Sequence, residues 1–386
     1  MRRAEVLQDA QRQLTICNAC RYCEGFCAVF PALELRRAVA DGDIVYLASL
    51  CHDCRACYYA CMYAPPHEFA VNIPRVLADV RGETYQAHTW PGFMRFLYRD
   101  AKAAVGAVAG VMLIVTALAA WIAGPRLFMV HTGPGAFYRV IPHWVMLAVG
   151  LGLGGYWLGI WGIAGVQFWR ESGSAAIPVR ARDLALAAWD VLRMRWLRGG
   201  GGGCPYPTER PSHSRRVFHG LVFYGFIAAF ASTTSAAIYQ ELLGRLPPYP
   251  LLSLPVVLGT VGGLAMIAGC VGLWHAKRGS DQEPSARASI ASDYLFLSIL
   301  GMTNVTGMLT LSLRETVLMG MTLAVHLGFV AALYVTAAHG KFIHAVYRTL
   351  ALIRNHAEQR NSTSMRRGHV AIGGAVPTQI DPAPHE

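Results

Sequence analysis

The sequence is short of charge. Asp, Glu, Lys and Arg make up 15% of its 386 residues, against roughly 25% in an average soluble domain. The shortfall is concentrated: six windows, 103–125, 140–169, 217–240, 246–276, 294–313 and 316–340, contain none of the four. Each is at least 20 residues long and rich in Ala, Leu, Val and Gly, enough as helix to cross about 30 Å of hydrocarbon. That excludes a soluble enzyme and predicts a polytopic membrane protein. A dinucleotide fingerprint is also missing. No Gly-x-Gly-x-x-Gly follows a strand pattern, and the run Gly199–Gly203 precedes no βαβ unit, so a nicotinamide or flavin site is not expected on this chain. An apolar leader is missing as well, since Arg2-Arg3 runs into the mixed, charged stretch Ala4–Gln13. The first hundred residues are therefore expected to stay in a reducing cytoplasm.

The net charge of +11 raises nucleic acid as a partner, but its placement excludes it. Of 34 Lys and Arg, 30 fall before residue 103, in 165–216, in 277–287 or after 338, and only Arg126, Arg139, Arg245 and Arg314 fall in the alternate loops. This is the positive-inside pattern. It predicts a multi-pass protein of a bacterial-type inner (cytoplasmic) membrane with both termini in the cytoplasm.

Eight of the ten cysteines sit in the first 61 residues, where a reducing compartment favours metal ligation over disulfides. They form an internal repeat. Cys17-Asn-Ala-Cys20-Arg-Tyr-Cys23-Glu-Gly-Phe-Cys27 matches Cys51-His-Asp-Cys54-Arg-Ala-Cys57-Tyr-Tyr-Ala-Cys61 cysteine for cysteine. Each reads C-x2-C-x2-C-x3-C, the run in which three thiolates wrap one iron–sulfur cube and the fourth ligates the other. Position by position, one [4Fe–4S] cluster takes Cys17, Cys20, Cys23 and Cys61. The second takes Cys51, Cys54, Cys57 and Cys27. Zinc knuckles would leave the third cysteine of each run without a role. Ala28 and Met62 follow the fourth cysteines where bacterial ferredoxins have Pro. With no strand alternation between the runs, a mainly helical ferredoxin-like domain fits better than the compact β-fold. Arg21 and Arg55, at equivalent places in the repeats, are candidates to donate to cluster sulfur or to meet a partner, and equally to be solvated.

Histidines in the membrane are costly and usually face a site. His219 opens the third window and His344 lies just past the sixth, which places them at the same depth on spans running in opposite directions. Two neutral imidazoles so placed can clamp a b-type haem. His339 is the rival of His344, and His326 is left for a quinone site or a second haem. Cys204 and Cys270 read as a free thiol and a small buried hydrophobe.

The organisation expected is mainly α. Residues 1–85 form a two-cluster ferredoxin-like domain, and 86–164 a connector with two spans. Residues 165–216 form a cytoplasmic Gly-rich linker with an amphipathic helix over Ala181–Leu197, broken flexibly by Gly199–Gly203. Residues 217–344 form four haem-binding spans, and 345–386 a polar tail, disordered after about Arg360.

The end of the chain resembles the cytochrome b subunit of respiratory nitrate reductase, in the spacing of His326 and His344 and in Gly-Lys-Phe-Ile-His. There each histidine ligates a different haem, with partners ten residues apart on an earlier span; here ten residues after His219 stands Ala229, so the resemblance implies one haem. Nearly the whole chain resembles the tricarballylate/citrate utilisation protein B family. The likeness rests on the cysteine runs, Gly-Cys204-Pro-Tyr-Pro-Thr, Arg215-Arg216-Val-Phe-His219 before Phe-Tyr-Gly, and Pro248-Tyr-Pro-Leu-Leu-Ser-Leu-Pro255. It implies a membrane electron carrier that re-oxidises the reduced flavin of a cytoplasmic FAD-containing dehydrogenase acting on tricarballylate or a related acid, and passes the electrons to the quinone pool. Two rivals are a quinol-oxidising subunit feeding a cytoplasmic reductase and, ranked lower, a transporter or scaffold with a metal-binding domain. Transporters tend to carry ionisable groups at mid-membrane, and these spans offer His326 and little else.

Overall fold

The computed structural model describes residues 2–372. Its architecture is mainly helical, with six helices long and apolar enough to cross a membrane: Ala101–Phe128, His143–Glu171, Ser214–Leu242, Leu254–Arg278, Ser289–Ser312 and Met319–Ala337. They coincide with the six charge-free windows. Large apolar side chains such as Leu113, Trp121, Leu151 and Phe230 stand on their outer faces, as side chains meeting lipid rather than water must. The third and fourth spans pack closest. A Cβ on Gly225 would lie 2.8 Å from the carbonyl oxygen of Gly262, and one on Gly262 2.7 Å from that of Gly225, so the two glycines let the backbones touch.

The cysteine-rich domain is built on the helices Arg2–Cys20, Asp41–Leu50 and Ile73–Ala87. Its core of Leu14, Leu33, Ile44, Tyr46, Leu47 and Leu77 continues without a break into Phe168 at the end of the second span and into Tyr347, Ala351 and Leu352. The stretch after residue 345, expected as a polar tail, is thus a helix, His344–Ile372, whose first turns complete the core of the N-terminal domain. Residues 373–386 of that expected tail lie outside the described residues. A charge network fixes the junction. Arg36 pairs with Asp43 at 2.7 Å and Glu358 at 2.8 Å, and Arg354 pairs with Asp43 at 3.0 Å and Glu358 at 2.8 Å. The two guanidinium groups stack on the Tyr46 ring at 4.9 and 4.0 Å. Two arginines on one ring, with shared carboxylates, satisfy charges that would otherwise be costly to bury.

The linker also differs from its expected form. Its helix runs Ala181–Leu192 and buries its two aspartates, Asp183 and Asp190. Asp183 receives Arg360 at 2.9 Å and Asp190 receives His356 at 3.1 Å, both from the C-terminal helix. The apolar residues Leu184, Trp189 (55% exposed) and Leu192 face outward, the pattern of a helix lying at the membrane interface. Gly199–Gly203 is a tight turn, not a flexible break. Gly199, Gly200, Gly201 and Gly203 all have positive φ, and a Cβ on Gly203 would meet the Ser212 backbone within 2.9 Å. Only glycine adopts such a path at no steric cost. The turn leads into a short antiparallel pair, Cys204–Pro205 with Pro211–Ser212.

Candidate functional site

The two cysteine runs share one backbone device. Arg21 and Arg55, each following the second cysteine of its run, both take left-handed conformations, with φ of 57° and 66°, so each chain turns back after its first two thiols. Cys17, Cys20, Cys23, Cys57 and Cys61 border one cavity. Burial pushes the Cys17 thiol up to about 12, with the charges of Cys61, Cys23 and Cys20 adding. Burial also takes Cys27 to about 12, and Cys51 is the neighbour that adds most. Cys57 is raised by burial and then by Cys27 and Cys51, and more weakly by the first group. Cys61 thus stands with the first run and Cys27 with the second. Among the described residues no three Cys, His, Asp or Glu side chains converge tightly enough for a single metal ion. Two groups of four soft thiolates, each spread around a shared space, are instead the donor set of an iron–sulfur cube, and binding iron would displace the protons that burial holds on them.

The two groups sit in different surroundings. Cys20 is exposed and Cys17, Cys23 and Cys61 are half-buried, whereas Cys27, Cys51 and Cys54 are buried. Cys54 lies against Cys204, whose neighbours Ala56, Tyr206 and Ala276 close over it. The hydrogen bond to Cys204 raises the Cys54 thiol, with burial adding. Cys204 is therefore packed on a candidate ligand rather than free in a linker. Arg55 is 2% exposed. It donates to the Asp281 carbonyl at 3.0 Å and to Ser285 Oγ at 2.6 Å, and stacks on Tyr206 at 4.7 Å. It serves the second run as a tie to the membrane domain, while the Arg21 side chain donates to the Asn18 carbonyl of its own turn. His52 donates its Nδ1–H locally to the Leu50 carbonyl, 2.7 Å away, and burial holds it neutral, well below its ordinary value. Asp53, beside it, donates its backbone N–H to Cys51 Sγ at 3.4 Å.

Beneath the Cys51 loop lies a cavity of about 390 Å³. Its apolar wall is Trp161, Val222, Phe223, Phe226, Phe296, Leu297 and Phe342, and His219 and His344 both open onto it. Their ring centroids are 6.3 Å apart, the spacing of two imidazoles with one metal between them when each nitrogen lies about 2 Å from it. His344 Nδ1 is committed to the Lys341 carbonyl at 2.5 Å, which leaves Nε2 free, the arrangement that fixes a ligating tautomer. Burial, with the Arg348 and His219 charges adding, lowers His344 to about 3, so the ring is neutral. His219 Nδ1 is buried without a partner. A cavity walled by aromatic and aliphatic side chains with two imidazoles 6.3 Å apart fits a b-type haem.

The remaining histidines are elsewhere. His339 bonds to the Tyr156 hydroxyl at 2.5 Å and His326 to Thr306 Oγ1 at 3.1 Å. Neither lines the cavity, so the structure pairs His344 rather than His339 with His219 and holds His326 within the bundle.

A family model described as "Citrate utilization protein B" matches residues 97–365, and one described as "Citrate utilization protein B Fer4-like domain" matches residues 10–87. The Escherichia coli protein "Citrate utilization protein B" is 41% identical over 364 residues, covering 91% of this chain and 92% of its own. The chain belongs to the citrate utilization protein B family. No solved structure matches it. In this family member the sequence pattern pointed to the eight cysteines and the histidine pair but missed two features. One is Cys204, isolated in sequence by its glycine run. The other is a set of arginines on the cavity, which read as ordinary positive-inside charge.

Proposed function

We propose that this family member is a membrane-bound electron carrier. It would take electrons from the reduced flavin of a cytoplasmic FAD-containing dehydrogenase, acting on tricarballylate or a citrate-related acid, and deliver them to membrane quinone. Two [4Fe–4S] clusters on Cys17/Cys20/Cys23/Cys61 and Cys51/Cys54/Cys57/Cys27, and one haem b on His219 and His344, would supply the one-electron carriers. The carrying observation is the placement of the His219–His344 cavity against the buried Cys51 loop, whose carbonyls its arginines hold, while the exposed Cys20 group borders a separate cavity. This order supports an input face at the first group, where Cys20 and Tyr22 are open to a docking protein. It supports an output at the membrane end of the chain. The shared core of cysteine domain, second span and C-terminal helix would hold the three centres in fixed order, which short-range electron transfer requires of a protein. Both termini would face the cytoplasm of an inner membrane, as the 30-to-4 division of basic residues supports.

The deciding experiment is a visible spectrum of the detergent-purified protein, oxidised and then dithionite-reduced. We expect broad, bleachable absorbance together with sharp reduced b-haem bands. His219→Ala and His344→Ala each remove the haem bands, and His326→Ala and His339→Ala keep them. Broad absorbance alone in the wild type would refute the haem, and a colourless protein purified anaerobically would refute electron transfer altogether.

A further inference from the structure

The haem cavity carries more positive charge than the protein compensates. Lys277 and Lys341 share Asp293, at 2.5 and 2.7 Å. Arg55, Arg81, Arg215 and Arg348 also line the cavity, with Asp53 as a second carboxylate. The Asp53 charge acts on Arg81 and Arg215 and leaves the lining with an excess of cations, and among the described residues Arg81, Arg215 and Arg348 form no ion pair with a carboxylate. Their donors go to backbone carbonyls of one loop instead. Arg348 reaches the Cys51 carbonyl at 2.8 Å, Arg81 reaches those of Ala48 at 2.8 Å and Cys51 at 3.2 Å, and Arg215 reaches that of Asp53. A carbonyl accepts a hydrogen bond but cancels no charge, and each guanidinium has five N–H groups to place. Three such groups beside an apolar slot are costly unless anions join them.

The placement of two of them is symmetric. Arg215 precedes His219 by four residues on the third span, and Arg348 follows His344 by four on the C-terminal helix. Residues four apart share a helix face, about 6 Å apart along the axis. Each helix therefore offers the cavity an imidazole and, one turn nearer the Cys51 loop, a guanidinium. We propose that Arg215 and Arg348, assisted by Arg81, are a carboxylate clamp: they hold the two propionates of the haem carried by His219 and His344, turning its carboxylate edge toward the second cysteine group. Arg–carboxylate pairs of this kind are charge-assisted and often bidentate. The inference rests on the haem reading above. A free di- or tricarboxylate offers the same chemistry and is the other source of the anion.

The test uses full-length protein stripped of haem and reloaded with haem b or with its dimethyl ester, whose propionates are capped. Wild type should retain haem b over the ester by on the order of ten- to a hundredfold, as loss of charge-assisted hydrogen bonds implies. Arg215→Gln/Arg348→Gln should lose most of that preference, and Arg215→Lys/Arg348→Lys should keep much of it. In optical redox titrations, removing the cations should disfavour the reduced haem. The midpoint should fall with each Gln substitution by about one tenfold change in the reduced-to-oxidised ratio, which is 59 mV for one electron, and the Lys variants should recover it. An ester preference or midpoint unchanged in the double Gln variant overturns the clamp. So does a midpoint lowered equally by Lys and Gln. Saturable citrate binding to haem-loaded wild type, lost in the double Gln variant while the ester preference persists, assigns the arginines to a free acid and also overturns it. If wild type takes up neither haem, the haem reading itself has failed, which is a separate result.

Discussion

The two cysteine runs match thiol for thiol and place an arginine at the same left-handed position, yet the protein treats them as opposites. The first run ends the Arg2–Cys20 helix, keeps Cys20 and Arg21 open, and is rimmed by the exposed side chains of Tyr22 and Met62. The second follows the Asp41–Leu50 helix into a buried loop, where Arg55 is sealed against Asp281, Ser285 and Tyr206 and the Cys51 carbonyl is held by two arginines of the His219–His344 cavity. The motif therefore fixes what each run can bind, and the surroundings fix what each run can meet. One run stands open at the surface and the other is tied to the membrane domain.

The comparison is broken most severely by exchanging the shared ligands. Cys27 belongs to the first run but stands with Cys51 and Cys57, and Cys61 belongs to the second but stands with Cys17 and Cys23. Cys27→Ser should remove about half of the iron and acid-labile sulfide, and the low-temperature EPR signal lost should be that of the buried cluster. Cys61→Ser should remove the other half and spare the buried signal. If each substitution silences the cluster of its own run, the crossed assignment is wrong.

A smaller effect separates the two groups by access. With a hydrophilic chelator under anaerobic conditions, iron should leave in two phases, the exposed group first. The buried group should follow at least about tenfold more slowly, because it opens only when the shared core opens. Single-phase loss would show that the two sites have equal access. Arg55→Ala and Arg21→Ala probe the same contrast through stability. The first removes a buried guanidinium together with its hydrogen bonds to the Asp281 carbonyl and Ser285 Oγ and its stack on Tyr206, at a cost of about 1–3 kcal/mol, and should lower the melting temperature. The second removes an exposed side chain and should stay within about 0.5 kcal/mol of wild type. Equal melting temperatures would deny Arg55 its role as a tie.

Much of this was legible in the residues. Charge-free windows gave six spans because lipid admits no unpaired charge, and the repeated cysteine spacing pointed to the Fer4-like domain that the family model matches over residues 10–87. The fate of the C-terminal stretch was not legible. Arg354, Glu358 and Arg360 look like solvent-facing charge until Arg36, Asp43 and Asp183 arrive from far along the chain to meet them. Polar residues paired over such separations leave no local periodicity. The inverted linker helix is hidden for the same reason, since its buried side is Asp183 and Asp190. Gly199–Gly203 has the composition of a flexible break, and only its positive φ angles and its packing against Cys204 and Phe26 reveal a built turn.

That turn leads to the smallest expected effect, and the one most specific to the second run. It delivers Cys204 onto Cys54, a neighbour for which the first run has no counterpart. With iron on the Cys54 sulfur, the Cys204 thiol is the proton donor of the pair, and a hydrogen bond to a ligating thiolate favours the reduced, more negative cluster. Cys204→Ala should therefore lower the midpoint of the buried cluster, by less than the roughly 59 mV that a tenfold shift represents for one electron. The exposed cluster, the iron content and the haem bands should stay unchanged. Cys204→Ser, which restores a donor, should move the midpoint back toward wild type. If Cys204→Ala moved both clusters alike, the turn would act on the domain as a whole, and the distinction between the two runs would not extend to their potentials.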